Sequence, residues 1–208
     1  MSDIETEPAA AAALFGDRIE LARAFTDALA AQGEERGLIG PLELPRLWTR
    51  HILNSAIVAP LLHGSVADIG SGAGLPGIVL AIARPDVEFT LIEPMERRIT
   101  WLNEQVDALG LSNVEVLRAR AEEVGRPQSF DVVTARAVSA LRTLLPLTAP
   151  LVRDGGELAL LKGMNAANEI DAAQKQIKKY KLSDVRVEVL GEGVLPETTR
   201  VVRAIVRA

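Results

Sequence analysis

The stretch that most limits what this chain can fold into is Asp68-Ile69-Gly70-Ser71-Gly72-Ala73-Gly74-Leu75-Pro76-Gly77, which follows the short apolar segment Val66-Ala67 directly. Glycine loses more conformational freedom on folding than any other residue, so four in ten positions are hard to justify by packing alone. They make sense where a strand turns sharply into a helix and the backbone must approach a ligand, because no Cβ stands in the way. In an open α/β sheet the ligand site lies at the carboxyl ends of the strands, where the topology switches. A helix opening near Pro76 and Gly77 aims its free N–H groups at whatever is bound there. Glu93, at the tip of the next strand-like run (87–92), can accept both hydroxyls of a ribose. The combination describes a site for a nucleoside-containing cofactor.

The turn alone does not choose the cofactor. Gly72, Gly74 and Gly77 satisfy the G-x-G-x-x-G dinucleotide spacing, with Glu93 about 20 residues further on. Two features favour S-adenosylmethionine. Asp68, two residues before the first glycine, is placed to meet an ammonium group, and two alternating strands close the chain.

Around this turn the chain reads as alternating strands and helices. Strands are expected at 66–69, 87–92, 114–117, 130–134 and 156–161, with helices at 77–83, 96–109 and 140–152 between them. Gly110 closes the helix at 96–109. A polar helix spans 166–180, and strands at 185–190 and 200–206 end the chain as a hairpin. The order predicts a mostly parallel α/β sheet with a closing antiparallel hairpin. Before it, Leu14, Ile19, Leu21, Phe25 and Leu29 give a helical stripe over 9–32, and a second apolar helix is expected over 44–62 with a break near Pro60. The chain is read as one domain, 1–208, with residues 1–63 a helical cap and 64–208 the cofactor-binding core.

Composition removes several kinds of chemistry. With no cysteine there are no disulfides, thiolate ligands or thiol nucleophiles, and the two histidines, His51 and His63, leave little for a zinc site. No metal is expected. No apolar run approaches the roughly 18 residues that span a bilayer, and Met1-Ser2-Asp3-Ile4-Glu5-Thr6-Glu7 is acidic where a secretory signal is basic. The expected compartment is therefore the cytoplasm, with no membrane partner. The net charge of −5 argues against holding nucleic acid by bulk electrostatics. A local basic face is still allowed, and 18 of the 23 cations are arginine, the residue suited to forked contacts with phosphate or a base edge.

The glycine turn together with Ile78 resembles the cofactor loop of the bacterial RsmG/GidB (glucose-inhibited division protein B) methyltransferases, and further matches follow in order. Arg50-His51-Ile52-Leu53-Asn54-Ser55 resembles an early family segment, with Asn54 where aspartate is usual. Arg97-Arg98-Ile99-Thr100-Trp101-Leu102 and Arg120-Ala121-Glu122-Glu123 come next, the latter similar to the segment that surrounds the adenine. Thr134-Ala135-Arg136-Ala137 matches a Ser-Arg-Ala signature, Leu161-Lys162-Gly163 a Leu-Lys-Gly signature, and Thr199-Arg200 a late arginine. The resemblance runs from about residue 46 to 207. It fades over the first 45, where Gly37-Leu38-Ile39-Gly40-Pro41 replaces the family's usual pattern.

This resemblance implies a Rossmann-like class I methyltransferase sheet. It also implies transfer of a methyl group from S-adenosyl-L-methionine to N7 of a guanine in 16S ribosomal RNA, within the small ribosomal subunit, by a monomer. Carried onto this chain, the cofactor residues are Asp68, Gly70, Gly72, Leu75, Glu93, Ala121, Glu122 and Arg136. Arg136, following the fourth strand, is the first choice for catalysis at the cofactor–substrate junction. Arg120, Lys162 and Arg200 are the candidates for RNA contact. His51 reads as a structural histidine that holds the cap to the sheet, and His63 as surface. Trp48 and Trp101 read as core. Lys175, Lys178, Lys179 and Lys181 form either an RNA-facing stripe or a solvated helix face. Two other functions fit the turn itself: an NAD(P)-dependent oxidoreductase, for which the chain lacks a Tyr-x-x-x-Lys pair, and a non-catalytic ribosome-binding module.

Overall fold

The computed structural model describes residues 4–207, so the acidic Met1-Ser2-Asp3 start lies outside the described residues. Seven strands pair into one sheet: β1 (Ser65–Ile69), β2 (Glu88–Glu93), β3 (Val114–Arg118), β4 (Phe130–Arg136), β5 (Val152–Lys162), β6 (Leu182–Leu190) and β7 (Thr199–Val206). Their order is β3-β2-β1-β4-β5-β7-β6. The first five run parallel, and β7 pairs antiparallel with both β5 and β6. The parallel sheet with a closing hairpin expected from the sequence is what forms. Strand order reverses on the two sides of β1, which puts the topological switch point at the carboxyl end of β1, where the glycines begin.

Alternation along the strands separates two cores. Val66, Phe89, Leu91 and Val132 pack with the cap, α1 (Ala10–Phe15), α2 (Ile19–Gln32), α4 (Gly77–Ala83) and α5 (Glu96–Leu109). Ala67, Ile69, Val133 and Ala135 face the other way, against α6 (Leu141–Thr148), α7 (Ala166–Ala172) and α8 (Gln174–Lys179). Because side chains alternate with period two, Asp68 and Arg136 share the cap-facing side with Val66 and Val132. Trp101 and Trp48 are core residues, as expected, and His63 is exposed.

Several boundaries depart from the sequence reading, each for a local reason. The helix expected over 9–32 breaks at Gly16, which adopts φ +52, and a 3-10 turn (Gly16–Arg18) separates α1 from α2. There the Arg18 Nε–H donates to the Ile82 carbonyl at 2.8 Å, tying the break to α4. The helix expected over 44–62 is not one α-helix. It is a 3-10 turn (Leu44–Arg46), a π-helical segment (Leu47–Leu53), the single turn α3 (Asn54–Ala56) and a second 3-10 turn (Ala59–Leu61). Pro45 and Pro60 sit in the two 3-10 turns, where a missing N–H is tolerated. The helix expected at 140–152 gives way to a 3-10 turn after Thr148, and the polar helix at 166–180 divides at Ala173. β5 starts at Val152 rather than 156, because Val152 pairs with Phe130 ahead of a bulge. β6 starts at Leu182 rather than 185, with its own bulge between Ser183 and Arg186. Two strand ends matter for function: β2 includes Glu93, and β4 runs on to Arg136.

Candidate active site

The glycine turn is held by the side chains at its two ends. Gly70 (φ +70) brings the chain against Val138, where a Cβ would stand 2.9 Å from Val138 Cγ2. Glu93 is 1% exposed. Its carboxylate accepts the N–H groups of Gly72 and Met95, each at 3.0 Å, and Arg98 Nη1 lies 3.5 Å away. The indole N–H of Trp101 donates to the Ala73 carbonyl at 3.0 Å, fastening α5 beneath the turn.

Asp68 is fully buried. One of its oxygens accepts the Gly77 N–H at 3.0 Å, and its backbone carbonyl accepts the Ser71 hydroxyl at 3.0 Å. The other oxygen, Oδ1, is buried with no partner. Burial pushes this carboxyl up to about 6, against the lowering effect of its hydrogen bonds and of Arg136. Gly77 is required at its position, since a Cβ there would fall 2.3 Å from Leu91 Cδ2 and 2.5 Å from Asp68 Oδ2. Gly77→Ala is expected to lower stability by about 1–3 kcal/mol through this overpacking. Denaturant unfolding checks it, and an unchanged midpoint would contradict the packing described.

Two cavities open at this edge of the sheet. One, of about 360 Å³, is lined by Gly70, Glu93, Met95, Arg98, Ala119, Arg120, Ala121, Glu122 and Val138 among others. The second, of about 700 Å³, is lined by Arg50, His51, Asn54, Arg136, Lys162, Met164, Glu197 and Arg200 among others. They meet at Ala137, which lines both. Ala137 takes φ +55, a left-handed conformation that costs a non-glycine residue about 1–2 kcal/mol and recurs at functional sites.

Arg136, the last residue of β4, stands at that junction. Its Nη2 donates to His51 Nδ1 at 3.0 Å and its Nη1 to the Arg50 carbonyl at 3.3 Å, while Nε is buried without a partner. Burial lowers this guanidinium to about 10, with Asp68 acting in the opposite direction. Register places Lys162 opposite Arg200 across β5 and β7, one step beyond the Arg136–Leu161 pair.

The sequence-derived candidates thus separate into three groups. Gly70, Glu93, Ala121 and Glu122 share the smaller cavity, whereas Asp68 lies behind the turn and Leu75 is buried in the core. Arg120, expected to contact RNA, lines the smaller cavity together with Glu93, where the 3-10 turn after β3 begins. Lys162 lines the larger cavity, but its side chain is 9% exposed and its ammonium is already paired. It donates to the Ser139 carbonyl and to Glu169, both at 2.8 Å, and Glu169 in turn accepts the Leu141 N–H that opens α6. These contacts tie Lys162 to the loop that precedes α6. Lys179 and Lys181 lie at the opposite end of the sheet, beside Val152 and Val206, and Lys179 covers the Tyr180 ring at 5.1 Å.

Arg50 and Arg98 did not emerge from the sequence as site residues. Arg98 carried a signal: a cation in the first turn of α5 opposes the helix dipole, which calls for a compensating partner such as Glu93. Arg50 carried none of its own, since it comes from a segment some 80 residues away from β4. Asn54, the departure from the family pattern, accepts the Thr199 hydroxyl at 2.6 Å through Oδ1 and so links the cap to β7. An aspartate oxygen would accept the same bond.

A family model described as rRNA small subunit methyltransferase G (GidB) matches residues 18–199. The ribosomal RNA small subunit methyltransferase G of Leifsonia xyli subsp. xyli is 70% identical over 205 residues, covering 98% of each chain. The protein of the same name from Clavibacter michiganensis subsp. michiganensis is 65% identical, covering 97% of this chain and 96% of its own. Among solved structures, a SAM-dependent methyltransferase from Aquifex aeolicus superposes with a TM-score of 0.51 at 21% identity, covering 68% of this chain and 81% of its own. That last likeness concerns the fold: the sheet is of the class I methyltransferase type.

Proposed function

The chain belongs to the rRNA small subunit methyltransferase G (GidB) family, and from that premise we propose that it methylates N7 of a guanine in 16S ribosomal RNA, with Arg136 at the point of transfer. Membership makes it an S-adenosylmethionine-dependent enzyme acting on ribosomal RNA. The observation that carries the finer reading is the meeting of a nucleoside-sized cavity and a larger arginine-lined cavity at Ala137, beside Arg136.

The smaller cavity suits the cofactor. Its lining combines Glu93 at the end of β2, to accept the hydroxyls of a ribose, with Ala121 and Glu122, for an adenine edge. Behind the turn, the unpartnered Asp68 Oδ1 is an acceptor that a cationic amine would satisfy. Bound there, S-adenosylmethionine would supply an electrophilic methyl group on a sulfonium. Guanine N7 carries a lone pair and no proton at neutral pH, so the protein needs to supply alignment and not a general base. That agrees with the surroundings of Arg136, whose guanidinium donates to the Arg50 carbonyl and to the Nδ1 lone pair of His51.

Arg136 retains its Nε–H and one hydrogen on each Nη after bonding His51 and Arg50. Guanine presents N7 and O6 on one edge. N7 must keep its lone pair free for the methyl carbon, so Arg136 serves O6 or a neighbouring phosphate oxygen. Arg50 and Arg200, on the wall of the larger cavity, supply charge for the RNA backbone, and Arg200 has no ion-pair partner among the described residues. The target base has to be splayed from folded RNA to reach this depth. Particle shape then supplies affinity that an acidic chain lacks, which favours the small subunit over naked RNA as substrate. Every group invoked comes from one chain, so a monomer suffices, with residues 1–63 and 64–208 acting as one unit in the cytoplasm.

Incubation with undermethylated small subunits and methyl-labelled S-adenosylmethionine tests the reading. Label is expected in 16S RNA of the particle. Absence of label, with the cofactor bound, would overturn it in favour of a binding module.

A further inference from the structure

Glu43, His51 and Arg136 stand in a line from the cap to the cavity junction. Glu43 Oε2 lies 2.6 Å from His51 Nε2, and His51 Nδ1 lies 3.0 Å from Arg136 Nη2. A guanidinium only donates. Nδ1 must therefore be the acceptor and carry no proton, and the neutral ring then places its hydrogen on Nε2, facing the Glu43 carboxylate. Both neighbours demand the same tautomer. Burial, reinforced by the charge of Arg136, lowers the imidazole to about 4, so the neutral form persists at physiological pH.

The cap fixes the far end of this line. Arg46 holds Glu43 Oε1 at 2.9 Å, and Arg50 Nε approaches Oε2 at 3.5 Å. His51 rides on the π-helical segment, a geometry that recurs at functional sites. That segment is clamped from outside by Glu5, whose carboxylate accepts the Thr49 N–H at 2.9 Å.

We propose that Glu43 and His51 are positioning residues: Glu43 fixes His51 as the Nε2–H tautomer, and the Nδ1 lone pair then orients the Arg136 guanidinium at the junction of the two cavities. The proposal rests on the role given to Arg136 above. Without the imidazole acceptor, the Arg50 carbonyl at 3.3 Å is the one remaining bond on that guanidinium among the described residues. The plane of the side chain is then free to turn, and misplacement by about 1 Å can cost roughly a hundredfold in rate. The cap thereby becomes part of the orienting machinery as well as a cover.

The chain has two histidines, so nitrogen-15 labelling of histidine gives two pairs of ring nitrogen signals, and His63→Asn leaves those of His51 alone. The expected spectrum of His51 at pH 7 is a neutral ring protonated on Nε2. In Glu43→Leu the Arg136 contact alone still favours that tautomer, and the ring is expected to populate the Nδ1–H form as well. Turnover on undermethylated small subunits should then fall about ten- to a hundredfold, with S-adenosylmethionine affinity and the particle KM little changed. Glu43→Gln, whose amide oxygen still accepts the Nε2 hydrogen, should recover most of the loss. A wild-type ring protonated on Nδ1, or full turnover in a folded Glu43→Leu, overturns the proposal. Should Glu43→Leu fail to fold, the wild-type tautomer and the turnover of His51→Leu decide in the same two directions. Arg136→Ala is measured alongside. If it retains activity, the role of Arg136 fails; if it is inactive while Glu43→Leu is not, the positioning role alone fails.

Discussion

Arg136→Ala is expected to abolish methylation, with turnover falling by at least about 10²–10³, the usual effect of deleting one preorganised donor from a reacting centre. The fold should survive. Arg136 is a cation whose burial depresses it to about 10, with its Nε unpartnered, so the native state gains little from it. The losses are confined to the bonds with His51 and the Arg50 carbonyl. Both acceptors border the larger cavity, so water can replace the guanidinium. Arg136→Lys should fail almost as completely, because one ammonium cannot reproduce the planar fork that reaches His51, Arg50 and a substrate oxygen together. Turnover on undermethylated small subunits, paired with thermal unfolding, checks both. Full activity in Arg136→Ala would remove it from the reaction.

Asp68→Asn should separate binding from stability. The native carboxyl is raised to about 6 from an ordinary 3.8, chiefly by burial. A raised carboxyl favours the protonated form in the folded state, so its unfavourable contribution is absent below about pH 4 and grows as pH rises through 6. Above pH 6 it is on the order of 3 kcal/mol. The carboxamide is isosteric and neutral, and its oxygen can still accept the Gly77 N–H. The variant should therefore be more stable than the parent above pH 6, with the gain vanishing near pH 4. S-adenosylmethionine affinity should fall about a hundredfold, because the orphaned Oδ1 becomes an N–H donor facing an ammonium. In the parent, affinity should weaken as pH drops below 6 and Asp68 takes up its proton. Calorimetric titration across pH, with melts at pH 4 and pH 8, measures all of this. Unchanged affinity in the variant would reduce Asp68 to a support of the turn.

The sheet was largely legible because alternation and glycine punctuation are local signals. Helix 96–109 comes out at its expected bounds, with Gly110 taking the left-handed cap conformation (φ +60). Residues 44–62 were not legible, because α, 3-10 and π turns bury nearly the same apolar residues and differ only in which carbonyl each N–H reaches. Proline was the available hint, and it marks the 3-10 turns at Pro45 and Pro60. The site divides in the same way. The glycine turn and Glu93 follow from one strand–turn–helix–strand unit, whereas Arg50 and His51 reach Arg136 through tertiary packing across some 85 residues. The surroundings of Arg120 and Lys162 were likewise not legible from the residue types. Arg120 lines the smaller cavity, and Lys162 pairs with Glu169, seven positions along the chain, across a turn whose path the residue types do not specify.

The most direct measurement is the identity of the labelled nucleoside after turnover on undermethylated small subunits. Digestion of the 16S RNA should release the label as 7-methylguanosine from a single site, and in Arg136→Ala that label should disappear while S-adenosylmethionine still binds. Label on an exocyclic amine, a ribose hydroxyl or another base would contradict the account, which places guanine N7 at the point of transfer.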